Sequence, residues 1–134
     1  MRREDWTSRL HGYIEATRHQ PYDPVKHNCA LFAAGAVKAV LGADPQAELG
    51  LNPKSLREVL EVLNAHGGVK GLATKYLGHE MRAPLMARRG DVVVRPGTDG
   101  DTLGICMGDH ALFLTVDGLQ PRPLKECDGC WGVG

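Results

Sequence analysis

From Ala30 to Leu41 only Gly35 and Lys38 interrupt an apolar run. A helix over this stretch presents hydrophobic side chains around nearly its whole circumference, a pattern that belongs to helices buried on all sides. The reading makes it the central helix. Asn28 suits the N-cap, where its side-chain oxygen takes a free amide of the first turn, and Gly42 suits the left-handed position that ends a helix. Upstream, Trp6, Leu10, Tyr13, Ile14 and Thr17 recur at helical spacing with charged residues on the other faces, which predicts an amphipathic helix over 4–19. Pro21 and Pro24 keep the segment between the two extended. After Gly42, residues 43–51 read as an irregular surface connection. A second strongly patterned helix is predicted from Asn52 to Gly68, with Asn52 as cap, Pro53 at the first helical position, Leu56, Val59, Leu60 and Leu63 as its stripe, and the paired glycines as its stop. Leu72, Ala73, Tyr76 and Leu77 before Gly78 predict a short helix or an irregular turn.

From Ala87 onward the period changes to that of extended chain. Arg88-Arg89-Gly90-Asp91-Val92-Val93-Val94-Arg95 runs into a β-branched strand, and Pro96-Gly97-Thr98-Asp99-Gly100-Asp101 is a turn. A second strand is expected from near Thr102 through Met107, a hairpin turn at Gly108-Asp109, and a third strand from Ala111 to Val116. Asp117-Gly118 marks another hairpin, Leu119, Pro121 and Leu124 suggest a short edge strand, and the tail around Trp131 adds a last one. Helices first and a small antiparallel sheet afterwards make an α+β architecture in one domain over 1–134, helical to about residue 80 and sheet from about 88 to 133.

The chain has 134 residues, enough to bury a core without disulfides or a metal. Sixteen basic residues balance sixteen acidic ones, so the overall charge does not point to nucleic acid or to an anionic membrane, though a local basic patch stays open. No apolar run approaches the roughly 18 residues that span a bilayer, and no signal-peptide core follows Arg2-Arg3. The expectation is a protein made and kept in a cytoplasm unless it leaves within a larger assembly. Its four cysteines, at positions 29, 106, 127 and 130, are expected as free thiols.

The chemistry these residues offer centres on Cys29. A thiol at a helix N-terminus meets unpaired amides and the positive end of the macrodipole, and can lose its proton well below about 8.5. The same residue reads equally as a small buried hydrophobe. Cys127-Asp128-Gly129-Cys130 supplies two metal ligands where zinc takes four; Cys106 is the only further thiol to join them, and the reading assigns no cofactor. His11, His19, His66 and His79 read as solvated, and Arg2-Arg3 and Arg88-Arg89 as surface charge. P-loop, dinucleotide-binding, HExxH and GxSxG patterns are absent from the sequence.

Two stretches resemble the papain-like cell-wall peptidases of the NlpC type: His27-Asn28-Cys29-Ala30-Leu31-Phe32 at the helix start, and Gly90-Asp91-Val92-Val93 followed by Leu103-Gly104-Ile105-Cys106-Met107-Gly108 in the strands. The resemblance implies a papain-like fold with Cys29 as nucleophile, a strand-borne histidine as its base and a polar residue on the next strand to orient the ring. It breaks at the base. The histidine's position falls on Thr102 and the orienting position near Phe113; His110, at the start of the next strand, is the remaining candidate base, and His27 points elsewhere if Asn28 caps the helix.

A second resemblance covers nearly the whole length. Trp6, Cys29-Ala30-Leu31-Phe32, Arg89-Gly90-Asp91-Val92-Val93, Leu103-Gly104-Ile105-Cys106-Met107-Gly108, Asp117-Gly118-Leu119 and Cys127 before Trp131 are similar to a family encoded in the tail gene clusters of tailed phages and prophages. It implies a tail-tip or tail-assembly component, assembled in the bacterial host cytoplasm, whose partners are other tail proteins. The alternative is a cysteine amidase acting on peptidoglycan peptides, with Cys29 as nucleophile and His110 or a partner-supplied histidine as base.

Overall fold

The structure, a computed structural model, describes residues 1–98 and 100–134. Asp99, in the turn the sequence places after Arg95, lies outside the described residues. Five helices come first: α1 Trp6–Thr17, α2 Cys29–Leu41, α3 Pro45–Glu48, α4 Leu56–His66 and α5 Gly68–Leu77. Five strands follow: β1 Val92–Gly97, β2 Gly100–Cys106, β3 His110–Thr115, β4 Gly118–Pro123 and β5 Gly129–Trp131. Their order in the sheet is β4-β3-β2-β1-β5, and every pairing is antiparallel. The chain is therefore α+β, with N-terminal helices and then a five-stranded antiparallel sheet.

Helix α2 forms where its caps put it. Asn28 is extended and its Oδ1 accepts from the Leu31 amide at 3.0 Å, while Gly42 closes the helix at φ 86°. Phe32, Ala33, Ala36, Val37 and Val40 are buried against α1 and the inner face of the sheet. The helix is not enclosed on all sides, as its composition predicts. Leu31, Ala34, Gly35 and Ala39 are half-buried and Lys38 is exposed, because that side is covered only in part. Gly35 is required by a close crossing: a Cβ there would collide with the Tyr13 hydroxyl, which donates to the Phe32 carbonyl at 2.8 Å.

Helix α4 departs further from expectation. Its start is Leu56, not Pro53, because Ser55 takes the cap and accepts from the Glu58 amide at 3.2 Å, while the Glu58 carboxylate accepts in return from the Lys54 amide. Glu58 thus gives its amide to the Ser55 hydroxyl and takes the amide of the residue before the cap, two bonds that fix the start at Leu56. No residue of α4 is buried, and Leu56 and Leu60 of its stripe are 53% and 52% exposed. The segment after it is a true helix, α5, entered through Gly67 and Gly68, both in the left-handed region. The connection at 43–51 carries the short α3, whose cap Asp44 accepts from the Gln46 amide, and it buries Pro45 and Leu51.

Alternation along the strands builds two cores. Val92, Val94, Leu103, Ile105, Leu112, Leu114 and Trp131 face the helices. Val93, Cys106, Ala111, Phe113, Cys127 and Cys130 form a smaller cluster on the other face, packed by Ala87 and Leu124. Gly104 makes the second core possible. It stands opposite Phe113, and a Cβ there would lie 2.5 Å from the ring and 2.6 Å from the Leu112 carbonyl. At the sheet's β4 edge, Pro121 and Pro123 remove donors that another strand would need, which blunts that edge against pairing.

Candidate functional site

Cys29 sits where the start of α2 meets β2. The helix N-terminus by itself lowers a thiol pKa, and the sequence leads to that expectation. The structure reverses the sign: burial pushes the Cys29 thiol up, and the amide N–H groups of Leu103, Ala30 and Cys29 itself only partly oppose it. Desolvation of a thiolate outweighs the dipole here, so the thiol stays protonated at neutral pH.

The residues expected around the sulfur are not brought to it. Thr102 lines the same cleft, but its hydroxyl rests over Gly97 of β1, where an added Cβ would lie 2.6 Å from Oγ1. It is the backbone of the next residue, Leu103, that faces the thiol. Phe113 is 1% exposed with its ring over Gly104, and offers nothing to orient an imidazole. His110 stands at the far end of β3. Phe113 is level with Gly104, and His110 lies three residues beyond it, which at roughly 3.3 Å per residue places it about 10 Å further along the sheet. Its Nδ1 is 2.6 Å from the carboxylate of neighbouring Asp109 at the exposed turn. His27 faces away, into the groove between α1 and α2.

The cleft itself is a substantial feature, about 650 Å³ between the α4 side and the ends of β1 to β4. Its walls include half-exposed Leu56 and Leu60 on one side and Val116, 74% exposed, on the other. Among the described residues no histidine lines it. Sequence reasoning missed Arg95, Gln120 and Arg122, which line it together with Asn28, Asp101 and Asp117. Arg95 lies 5.8 Å over the Phe113 ring, approaches Glu126 at 3.6 Å, and leaves its buried Nε without a partner among the described residues. An arginine closing an otherwise apolar Val92-Val93-Val94 strand was the available signal. The cleft joins a protonated thiol to apolar walls and to a lining that mixes arginines with carboxylates.

A family described as a domain of unknown function, DUF6950, matches residues 1–133. The chain belongs to that family. Among curated proteins none matches it. In this DUF6950 member the remaining thiols lie away from the cleft. Cys106, Cys127 and Cys130 share the small outer-face core, each placed to donate to a backbone carbonyl: Cys106 to Gly108 at 3.7 Å, Cys127 to Pro123 at 4.0 Å and Cys130 to Ala83 at 3.3 Å. These are the contacts of protonated thiols, and burial pushes all three upward, Cys127 to about 11. Among the described residues no group of three or more His, Cys, Asp or Glu side chains is placed to hold a metal ion. No helix among the described residues is long and apolar enough to cross a membrane. The histidines read as solvated divide: His11 and His19 are exposed, whereas His66 and His79 are half-buried with ring nitrogens on the Val62 and Gly132 carbonyls.

The raised thiols set an alkaline limit on stability. A thiol whose folded pKa exceeds its unfolded value contributes fully below the unfolded value and loses that contribution as pH climbs toward the folded one. For Cys127 the window runs from 9.0 to about 11. The melting temperature is expected to hold between pH 7 and 8.5 and to fall by about 5 °C or more by pH 10.5, with a shallower fall in Cys127→Ala. Calorimetry across that range checks it; an equal slope in both proteins contradicts the assignment.

Proposed function

We infer that this DUF6950 protein is a non-catalytic component of a phage or prophage tail, a structural adaptor with a degenerate papain-like fold. The observation that carries the non-catalytic part is the cleft: a half-buried neutral thiol at the head of α2, no imidazole in the lining among the described residues, and Thr102 turned onto Gly97. A thiol nucleophile needs a base within hydrogen-bond reach, or a depressed pKa, and here both are lacking. The tail assignment is supported by the pattern running from Trp6 through Cys29-Ala30-Leu31-Phe32 and Arg89-Gly90-Asp91-Val92-Val93 to Trp131. Its partners on this reading are neighbouring tail proteins.

The test is genetic and chemical together. Cys29→Ala is expected to restore tail assembly in a deletion background as fully as the unmutated gene, and mass spectrometry of purified tails or assembly intermediates is expected to contain the protein. Failure of a folded Cys29→Ala protein to complement, together with release of peptide fragments from peptidoglycan by the unmutated protein, returns the amidase. Alkylation of Cys29 by iodoacetamide at pH 7 is expected to run at least about tenfold slower than that of free cysteine, since the thiolate is the reactive species and burial suppresses it. A rate above the free thiol's would mean an activated cysteine.

A further inference from the structure

A surface away from the Cys29 cleft carries a second binding feature. Two grooves meet at Arg3. The first, about 550 Å³ between α1 and α2, is lined by Arg3, Arg9, Lys26 and Lys38 with Asp44 as its one carboxylate. The second, about 600 Å³, is lined by Arg2, Arg3, Arg88 and Arg89 with Glu4 as its one acidic side chain. Arg3 is common to both, so seven of the chain's sixteen cations lie along one band that holds two of its sixteen carboxylates. In a chain of net charge zero that is strong segregation. Internal partners account for only part of it: Arg2 is taken by Asp91, Arg3 and Arg9 lean on Asp5, and Lys38 lies 3.5 Å from Asp44. Arg88 and Arg89 have no salt bridge among the described residues, and Lys26 forms none within 4.0 Å but lies near Asp23, whose carboxyl it helps to hold below the usual range.

The floor of the first groove is apolar. It is formed by Leu31 and Ala39 of α2, half-buried in a helix that otherwise belongs to the core, with Tyr13 of α1 lying over Gly35 between them. His27 completes the wall. It is 8% exposed, and its Nε2 has no hydrogen-bond partner among the described residues, a cost normally avoided for a buried polar group. Cations at the rim, a narrow apolar floor and an unanswered imidazole nitrogen describe a site for a ligand with carboxylates around apolar side chains.

We propose that this band docks an acidic polypeptide segment of a partner protein, its carboxylates on Lys26, Lys38, Arg88 and Arg89 and its apolar side chains on Leu31 and Ala39. A nucleic acid fits less well. Single strands are held by stacking bases on free aromatic faces, and the two aromatics here are engaged, Trp6 under the Arg2 guanidinium at 4.3 Å and Tyr13 stacked on Phe32. The proposal goes beyond the adaptor reading and does not depend on it, since the band shares no lining residue with the cysteine cleft.

Fluorescence anisotropy with defined probes tests it on the full chain. The probes are a labelled twelve-residue peptide of alternating Glu-Leu and Asp-Leu pairs, its Gln/Asn counterpart, an oligoglutamate of equal charge, and single-stranded and duplex DNA of twelve nucleotides. The acidic apolar peptide is expected to bind at least about tenfold tighter than each of the others. Lys26→Glu/Lys38→Glu and Arg88→Glu/Arg89→Glu are each expected to weaken it about tenfold or more, while Lys54→Glu/Arg57→Glu on α4 leaves it unchanged, with circular dichroism verifying the fold of every variant. The ring resonances of His27, and not those of His110, are expected to shift on titration. DNA or oligoglutamate binding as tightly as the peptide overturns the proposal, as does peptide binding that is absent or indifferent to the groove reversals.

Discussion

Asp91→Ala is expected to cost about 3–5 kcal/mol of stability and to lower the melting temperature by about 10–20 °C. The carboxylate is 4% exposed and answers three donors at once: Arg2 Nη2 at 2.8 Å, the Val133 amide at 3.0 Å and the Arg88 amide at 2.9 Å. Arg2 in turn donates through Nε to the Val133 carbonyl at 2.8 Å and through Nη1 to the Arg89 carbonyl at 2.6 Å, with its guanidinium over Trp6. The cluster ties the N-terminus, the entry to β1 and the C-terminal segment into one knot. Gly90 belongs to it, at φ 92° and with no room for a Cβ beside Arg2. Removing the carboxylate leaves a half-buried guanidinium and two amides without their acceptor, and unanswered buried groups carry the full desolvation cost. Asp91→Asn keeps an acceptor and is expected to cost less. Denaturant unfolding checks both against Arg57→Ala, an exposed pair on α4 expected to shift stability by under about 0.5 kcal/mol. A loss below about 1 kcal/mol for Asp91→Ala would mean that the knot does not hold the ends.

That knot shows where reading the chain stops short. Arg2 and Arg3 are adjacent, and as letters both are surface charge, yet one reaches 89 positions along the chain to a buried carboxylate and the other stays half-exposed. Partner choice at that separation is a property of the fold. Local signals fare better: Asn28 and Gly42 fix both ends of α2 because capping chemistry is settled within four residues. Ser55-Leu56-Arg57-Glu58 carried an equally local signal, a capping box, and it outranks the Asn52-Pro53 start. Periodicity gave the stripe of α4 but not its burial: Leu63 packs on the main core, whereas Leu56 and Leu60 remain about half exposed.

The site divides the same way. Cysteine at the head of α2 was legible. The sign of the thiol's shift was not, because the helix dipole can be inferred from neighbours while desolvation depends on how β2 packs across it. The reach of His110 was also out of view, being set by the register of β2 against β3. That register sets His110 about 10 Å along the strand from the residue level with Gly104.

Trp131→Ala is the second large effect, expected at about 3–5 kcal/mol. The indole is fully buried among residues from α2, α5 and β1, and its Nε1 donates to Thr74 Oγ1 at 3.1 Å. Strand β5 has only three residues, paired to β1 through Val92, Val93 and Val94, so the ladder alone holds it weakly and the side chain supplies most of the attachment. Trp131→Phe keeps most of the volume and is expected to retain the fold at a cost of about 1–2 kcal/mol, largely the lost hydrogen bond and a small void. The two large predictions then meet. Val133, two residues beyond the indole, provides both an amide to Asp91 and a carbonyl to Arg2. A chain end released by Trp131→Ala has already lost much of what Asp91 grips, so the double variant is expected to fall short of the summed single losses by about 1 kcal/mol or more in a double-mutant cycle. Strict additivity would show the indole and the carboxylate anchoring separate parts of the molecule.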